Sequence, residues 1–353
     1  MEEIIIMMKK ISRLFCAALV FTMAMGSFVA CGNGNDDSKQ KETNYNAACA
    51  LIESGDYEGA YAAFKELGDY KDSQKYLSRF IYFPTVANFA FYDRVGVMTI
   101  ELGAYNMPSR IFTEGMEGEE DRTAYTKDGR YTYDSKGNLM QQAVTYNETR
   151  LAYDYTYDND NRLIKAEYSV EGVAITVNDY VYDENGWLIR ESYKEGDMVY
   201  YDYENSYDAN GNLIKGECKV QGADYVHIYN EEGNLVNERG TVSTGYWYNI
   251  DYTYNTDGQL TKEVYTNSEE ECDTTEYTYD SAGNCIKEET TYSDGTKDVF
   301  TQEYDANGNV TKEVLTYSDG TVESVEWQYA LTYLTIDVPF ATMNQVLGIF
   351  DII

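Results

Sequence analysis

A Tyr-Asp turn recurs through more than half of this chain at nearly constant spacing, and no other feature limits the fold as strongly. The stretch Tyr133-Asp134-Ser135-Lys136-Gly137-Asn138-Leu139 reappears from Tyr157, Tyr182, Tyr207, Tyr229, Tyr254, Tyr279 and Tyr304, at gaps of 24, 25, 25, 22, 25, 25 and 25 residues. A degraded copy follows at Tyr329. Periods of this length describe an array of supersecondary units, each burying its apolar face only against its neighbours.

Within each unit the pattern is that of two strands and two turns. Two residues before the key tyrosine stand Tyr131, Tyr155, Tyr180, Asn205, His227, Tyr252, Tyr277, Gln302 and Trp327, and two further back Tyr153, Tyr203, Tyr225, Ile250, Phe300 and Val325. Aromatic residues at period two predict a strand with one large apolar face. Asp-x-x-Gly follows: Asp134 with Gly137, Asp183 with Gly186, Asp208 with Gly211, Asp280 with Gly283 and Asp305 with Gly308. Gly233 and Gly258 hold the same place in copies that open with Asn. Asp first and Gly fourth suit a type I turn followed by a left-handed residue, and Asn161, which replaces Gly once, is the side chain that best tolerates that backbone. A return strand starts at Leu139 and its equivalents, with Lys165, Arg190, Lys215, Lys262, Lys287 and Lys312 at a fixed offset. Cross-strand pairing with neighbouring Glu, or packing over Tyr rings, is the simplest role for this basic column. Ser293-Asp294-Gly295 and Ser318-Asp319-Gly320 mark the second turn. The expected fold is mainly β, a meandering antiparallel hairpin array over residues 131–335, whose Asp and Gly residues are structural.

Flanking segments read differently. Residues 45–80 predict helices: Ala48, Leu51 and Ile52 form one stripe, Gly55-Asp56 a break with Asp56 as cap, and Ala60, Ala63, Phe64 and Leu67 a second stripe. Residues 81–130 read as a junction that starts the array, with a strand at Val95–Ile100 and an acidic loop from Glu114 to Asp121. Residues 336–353 read as a C-terminal cap over the open edge of the sheet. At the other end, Lys9-Lys10, Arg13, an apolar run from Leu14 to Ala30 and then Cys31 have the layout of a secretory signal over residues 1–30. Residues 31–44 are polar, as a solvated tether would be. No later stretch is apolar enough to span a bilayer.

Three resemblances rest on these residues. Ser27-Phe28-Val29-Ala30-Cys31 resembles a bacterial lipobox, which implies export, a lipid on Cys31 and a membrane anchor facing outside the cytoplasm. The stretch from Ala50 through Gly55-Asp56-Tyr57, Phe64 and Leu67-Gly68-Asp69-Tyr70 resembles a tetratricopeptide-like unit. The Tyr-Asp-x-x-Gly-Asn-Leu units resemble the YD repeats of the Rhs and teneurin families, which implies a long β-sheet that spirals into a shell.

Composition narrows the function. A net charge of −34 repels phosphate backbones, which argues against nucleic-acid binding. The single histidine, His227, falls in the aromatic column and reads as a repeat substitution rather than a base. No nucleophile motif, phosphate loop or metal-ligand cluster is visible, so no catalytic residue, cofactor or metal is expected. Asp158 to Asn161 and Asp183 to Gly186 echo the opening of a calcium loop, yet Ser169 and Lys194 stand where an EF-type loop needs its closing Glu. The expectation is a non-enzymatic, lipid-anchored surface protein whose sheet is a scaffold or a binding surface for glycan or protein. A carbohydrate-active enzyme using carboxylates, or an accessory of an Rhs-type toxin system, are the alternatives.

Overall fold

The computed structural model describes residues 36–118, 123–218, 223–242 and 244–336. The expected signal segment, Cys31 and nearly all of the expected C-terminal cap lie outside the described residues.

Among the described residues three helices come first: α1 (Asp36–Ser54), α2 (Tyr57–Leu67) and α3 (Ser73–Leu77). Helix α1 begins inside the stretch expected to be a tether, and the break at Gly55 and Asp56 falls where the sequence places it. Gly55 takes φ +80°, and the Asp56 carboxylate accepts the Gly59 N–H at 3.0 Å, capping α2. Ala60, Phe64 and Leu67 form the buried face of α2. They pack with Phe80, Leu331 and Tyr333, so among the described residues the sheet holds the helices.

Strands β1 (Phe80–Ala90), β2 (Arg94–Leu102), β3 (Pro108–Glu117) and β4 (Thr123–Tyr133) follow. Glu114 to Glu117, expected in an acidic loop, belong to β3 instead, where they pair with Val97 to Arg94 of β2. The repeats then give β5 (Leu139–Tyr146), β6 (Thr149–Tyr157), β7 (Leu163–Val170), β8 (Val173–Tyr182), β9 (Leu188–Glu195), β10 (Met198–Tyr207), β11 (Leu213–Cys218) and β12 (Ala223–Tyr229). Next come β13 (Leu235–Thr241), β14 (Trp247–Tyr254), β15 (Leu260–Asn267), β16 (Cys272–Tyr279), β17 (Cys285–Thr291), β18 (Lys297–Tyr304), β19 (Val310–Thr316) and β20 (Val322–Tyr333).

Every strand pairs antiparallel with its chain neighbours, and β20 pairs with β1 through ten residue pairs from Phe80↔Tyr333 to Ala90↔Ser324. This corrects the expected spiralling YD sheet. The twenty strands close into one barrel, in which β1 supplies the hydrogen bonds that β20 would otherwise lack on its open side. The stretch read as a junction supplies four of the staves. Asn106, in a short 3₁₀ turn between β2 and β3, donates to Tyr57 Oη at 3.0 Å and to the Tyr333 carbonyl at 2.8 Å. One side chain thereby ties α2 to the closing seam.

Candidate functional site: the inner face of the barrel

The repeat turns set which side chains point inward. Asp208 illustrates the geometry. Its N–H donates to the Asn212 carbonyl at 2.9 Å and the Gly211 N–H returns to the Asp208 carbonyl at 3.2 Å, a type I turn closed by a left-handed residue. The carboxylate locks its own turn by accepting the Asn210 and Asn212 N–H groups on Oδ1 and the Asn212 amide on Oδ2. Asp134, Asp280 and Asp305 repeat these three bonds, and Asp183 accepts the Asn185 and Trp187 N–H groups at 2.9 Å. Gly137, Gly186, Gly211, Gly233, Gly258, Gly283 and Gly308 have φ between 79° and 93°, and Asn161 has φ 64°. These side chains are thus committed to their turns, at one end of the barrel. Asp158 is further occupied by Arg162 Nε at 2.7 Å, which leaves the calcium-like turn holding a guanidinium. Among the described residues no group of three or more His, Cys, Asp or Glu is placed to hold a metal ion.

A one-residue register shift follows each of these turns, as between Ser206 and Tyr207 opposite Leu213. It sets the alternation of the return strand, so that consecutive residues point to opposite sides. The basic column faces outward. Lys165 bonds Glu167 at 2.8 Å, Arg190 clasps Asp202 with two 2.7 Å bonds, Lys215 bonds Glu217 at 2.7 Å, Lys287 bonds Glu289 at 2.7 Å and Lys312 bonds Glu326 at 2.8 Å.

The residue after each base, and the one after Asn237 in the unit that lacks a base, faces the tyrosines. Glu191 lies opposite Tyr180 and Tyr203, Glu238 opposite His227 and Ile250, Glu263 opposite Tyr252 and Thr275, Glu288 opposite Tyr277 and Phe300, and Glu313 opposite Gln302 and Val325. This carboxylate column escapes a reading of the sequence that stops at the lysines. Its signal is the dipeptide Lys-Glu, repeated at 262, 287 and 312, taken together with the two-residue period.

That face is the concave one. A cavity of about 390 Å³ is bounded by alternate residues of seven consecutive strands, among them Phe89, Met98, Ile111, Tyr125, Tyr131 and Tyr153. Twenty strands also exceed the about eight whose interior side chains alone can fill. Along the inner face the rings of Tyr193, Tyr201, Tyr203, Tyr225, His227 and Tyr229 follow one another at centroid separations of 5.5, 5.7, 5.5, 5.1 and 6.4 Å.

Inner-face aromatic side chains donate to four of these carboxylates. Tyr201 donates to Glu191 at 3.1 Å, Tyr248 to Glu238 at 2.9 Å, Tyr277 to Glu263 at 3.2 Å and Trp327 Nε1 to Glu313 at 2.9 Å. His227 Nε2 lies 3.3 Å from Glu238, so the one histidine is a member of this network. Although burial works to raise the Glu238 carboxyl, its bonds from His227 and Tyr248 hold it below the usual range. Burial pushes the Tyr201, Tyr225 and Tyr248 phenols upward, which keeps them as neutral donors.

This wall has the opposite polarity to one that faces lipid. A membrane-spanning barrel carries an apolar band outside, and each outward Lys or Arg near its midplane costs about 2–4 kcal/mol. Here ion-paired Lys, Arg, Asp and Glu stand outward at mid-strand, among exposed apolar residues such as Val181 and Ile228.

No family model matches the chain, and no curated protein does. Solved structures with partial likeness include the Tc holotoxin pore of Photorhabdus luminescens, at 13% identity and a TM-score of 0.33 over 69% of this chain. The chain spans 17% of that toxin chain. Porin-like proteins of Bacteroides uniformis and Bacteroides vulgatus align at 11% and 10% identity, over 71% and 70% of this chain and 97% and 98% of theirs, with TM-scores of 0.31 and 0.27. At that level of likeness nothing of their activity carries over.

Proposed function

We propose that this chain is a non-catalytic binding barrel, exported and held at the bacterial cell surface by a lipid on Cys31, whose inner face takes glycan. The observation that carries the reading is the run of inner tyrosine rings beside a column of carboxylates at one level of the barrel. Sugars present flat C–H faces to aromatic rings and hydroxyls to acceptors, and this face offers both at a repeating interval. The charged outer wall suits a body that stands in water beside the membrane.

The test is a glycan array and cell-wall pull-down with the detergent-solubilised full chain and with Tyr203→Ala, Tyr225→Ala and the double variant. Because the sheet closes on itself, ring substitutions are cleaner than deleting hairpins, which would force the barrel to close anew. Graded loss from single to double variant is expected, since neighbouring weak sites reinforce one another. Absence of binding to every surface polymer, or affinity indifferent to both substitutions in folded protein, overturns the reading.

A further inference from the structure

We propose that the cavity bounded by β1 to β7 is a binding site for a small carboxylate attached to a ring, with Lys127 as its charge partner. The cavity lies away from the glutamate column of β9 to β19, so this inference stands independently of the glycan reading. In a chain with a net charge of −34, its ionic lining runs the other way: Arg94 and Lys127 against the single acid Glu117.

Each of the three is accounted for differently. Glu117 already accepts the Tyr146 hydroxyl. Arg94 lies 3.4 Å from Asp93 and its guanidinium is 5.6 Å from the centre of the Phe91 ring. Lys127 has no hydrogen-bond or ion-pair partner among the described residues. It stands in β4 opposite Thr113 and Tyr146, neither of which neutralises it. Burial, and then the charge of Arg94, press its ammonium below the usual lysine range, as expected of a desolvated cation without a counter-ion. A carboxylate entering here would pair with that cation and bring the lining to neutrality, which favours a monoanion over a phosphate.

The remaining wall selects the rest of the ligand. Phe89, Met98 and Ile111 are apolar, and the Tyr153 ring, 41% exposed, presents a face with Tyr168 at 4.9 Å beside it. A volume of about 390 Å³ suits one or two rings. An aromatic acid and a sugar acid share this chemistry, a carboxylate on a ring.

Isothermal titration of the full chain with benzoate and with glucuronate, and with benzyl alcohol as the neutral comparison, tests the site. At least one carboxylate should bind about tenfold or more tightly than benzyl alcohol, and the tighter of the two identifies the ring. Lys127→Met should lose about tenfold or more, and Lys127→Arg should retain most of the affinity. Failure of both carboxylates to bind, equal binding of benzyl alcohol, or unchanged affinity in a folded Lys127→Met protein overturns the proposal. Should Lys127→Met not fold, the comparison of charged and neutral ligands on the unaltered chain decides.

Discussion

The hydroxyl of Tyr304 donates at 2.8 Å to the carbonyl oxygen of Cys285, nineteen residues earlier in the preceding hairpin. The same bond joins Tyr279 to Leu260, Tyr254 to Leu235, Tyr207 to Leu188, Tyr182 to Leu163 and Tyr157 to Leu139, at 2.7 to 2.9 Å. Tyr133, which has no repeat before it, reaches the Pro108 carbonyl at 2.8 Å. The cause is geometric. The ladder between β5 and β6 starts at Gln141↔Asp154, so the Leu139 carbonyl lies beyond the last pair and would go unsatisfied. The key tyrosine is therefore the stitch between successive hairpins.

Removing that hydroxyl should weaken the barrel locally. Tyr207→Phe and Tyr304→Phe should each cost about 1 kcal/mol in denaturant unfolding, and the double variant should show the sum because the sites are far apart. Unfolding curves superimposable on the parent would refute the role.

Restoring the repeat consensus at two departures should have opposite results. Asn205 and Gly216 face each other in the β10–β11 ladder, and Tyr225 places its ring over Gly216 while its hydroxyl bonds Asn205 at 2.8 Å. A Cβ on Gly216 would lie 2.1 Å from Tyr225 Cζ. Gly216→Glu should cost about 1–3 kcal/mol or more by overpacking. In thermal melts of both variants His227→Tyr should be nearly neutral, because Tyr252 already stands opposite Glu263 in the next unit.

The turn glycines should tolerate Asn better than Val. Gly211 and Gly283 take φ of +87° and +93°, so valine there should cost on the order of 1–3 kcal/mol in backbone strain. Asn161 already holds that conformation, and Gly283→Asn should lose less. Equal melting temperatures for parent and both valine variants would contradict the turn geometry.

Acid should destabilise the barrel through its bonded carboxylates. Glu289 is pulled from 4.5 to about 2, first by Lys287 and then by Lys297, and Asp208 is lowered by the Asn212 N–H and amide. A carboxyl lowered on folding adds stability that is fully present above its unfolded pKa and is lost as pH falls through the folded one. For Glu289 that window runs from about pH 4.5 down to about 2. Glu289→Gln should flatten this limb of an acid unfolding curve followed by circular dichroism, and a limb identical to the parent's would refute it.

At the N-terminus, the mature protein should begin at a lipidated Cys31. Intact-mass measurement of membrane-extracted protein checks this, and an unmodified N-terminus elsewhere removes the anchor.

The sequence by itself determined the hairpins. Turn geometry is a local matter: Asp208, Gly211 and Asn212 close their turn with bonds spanning five residues, and alternation along β10 places Tyr203 and Tyr207 on one side whatever surrounds them. Capping of α2 by Asp56 is local in the same way. Closure was a tertiary decision. Phe80 and Tyr333 pair across more than 250 residues, and no repeat period encodes where accumulated twist and curvature will bring the last strand beside the first. The same holds for the face that the tyrosines occupy and for Lys127, whose unpaired charge arises only when β2 and β4 flank one concavity. The glutamate column lies between these cases: its spacing is written in the sequence, but only the register shift at Leu213 and its counterparts shows that Lys points out and Glu points in.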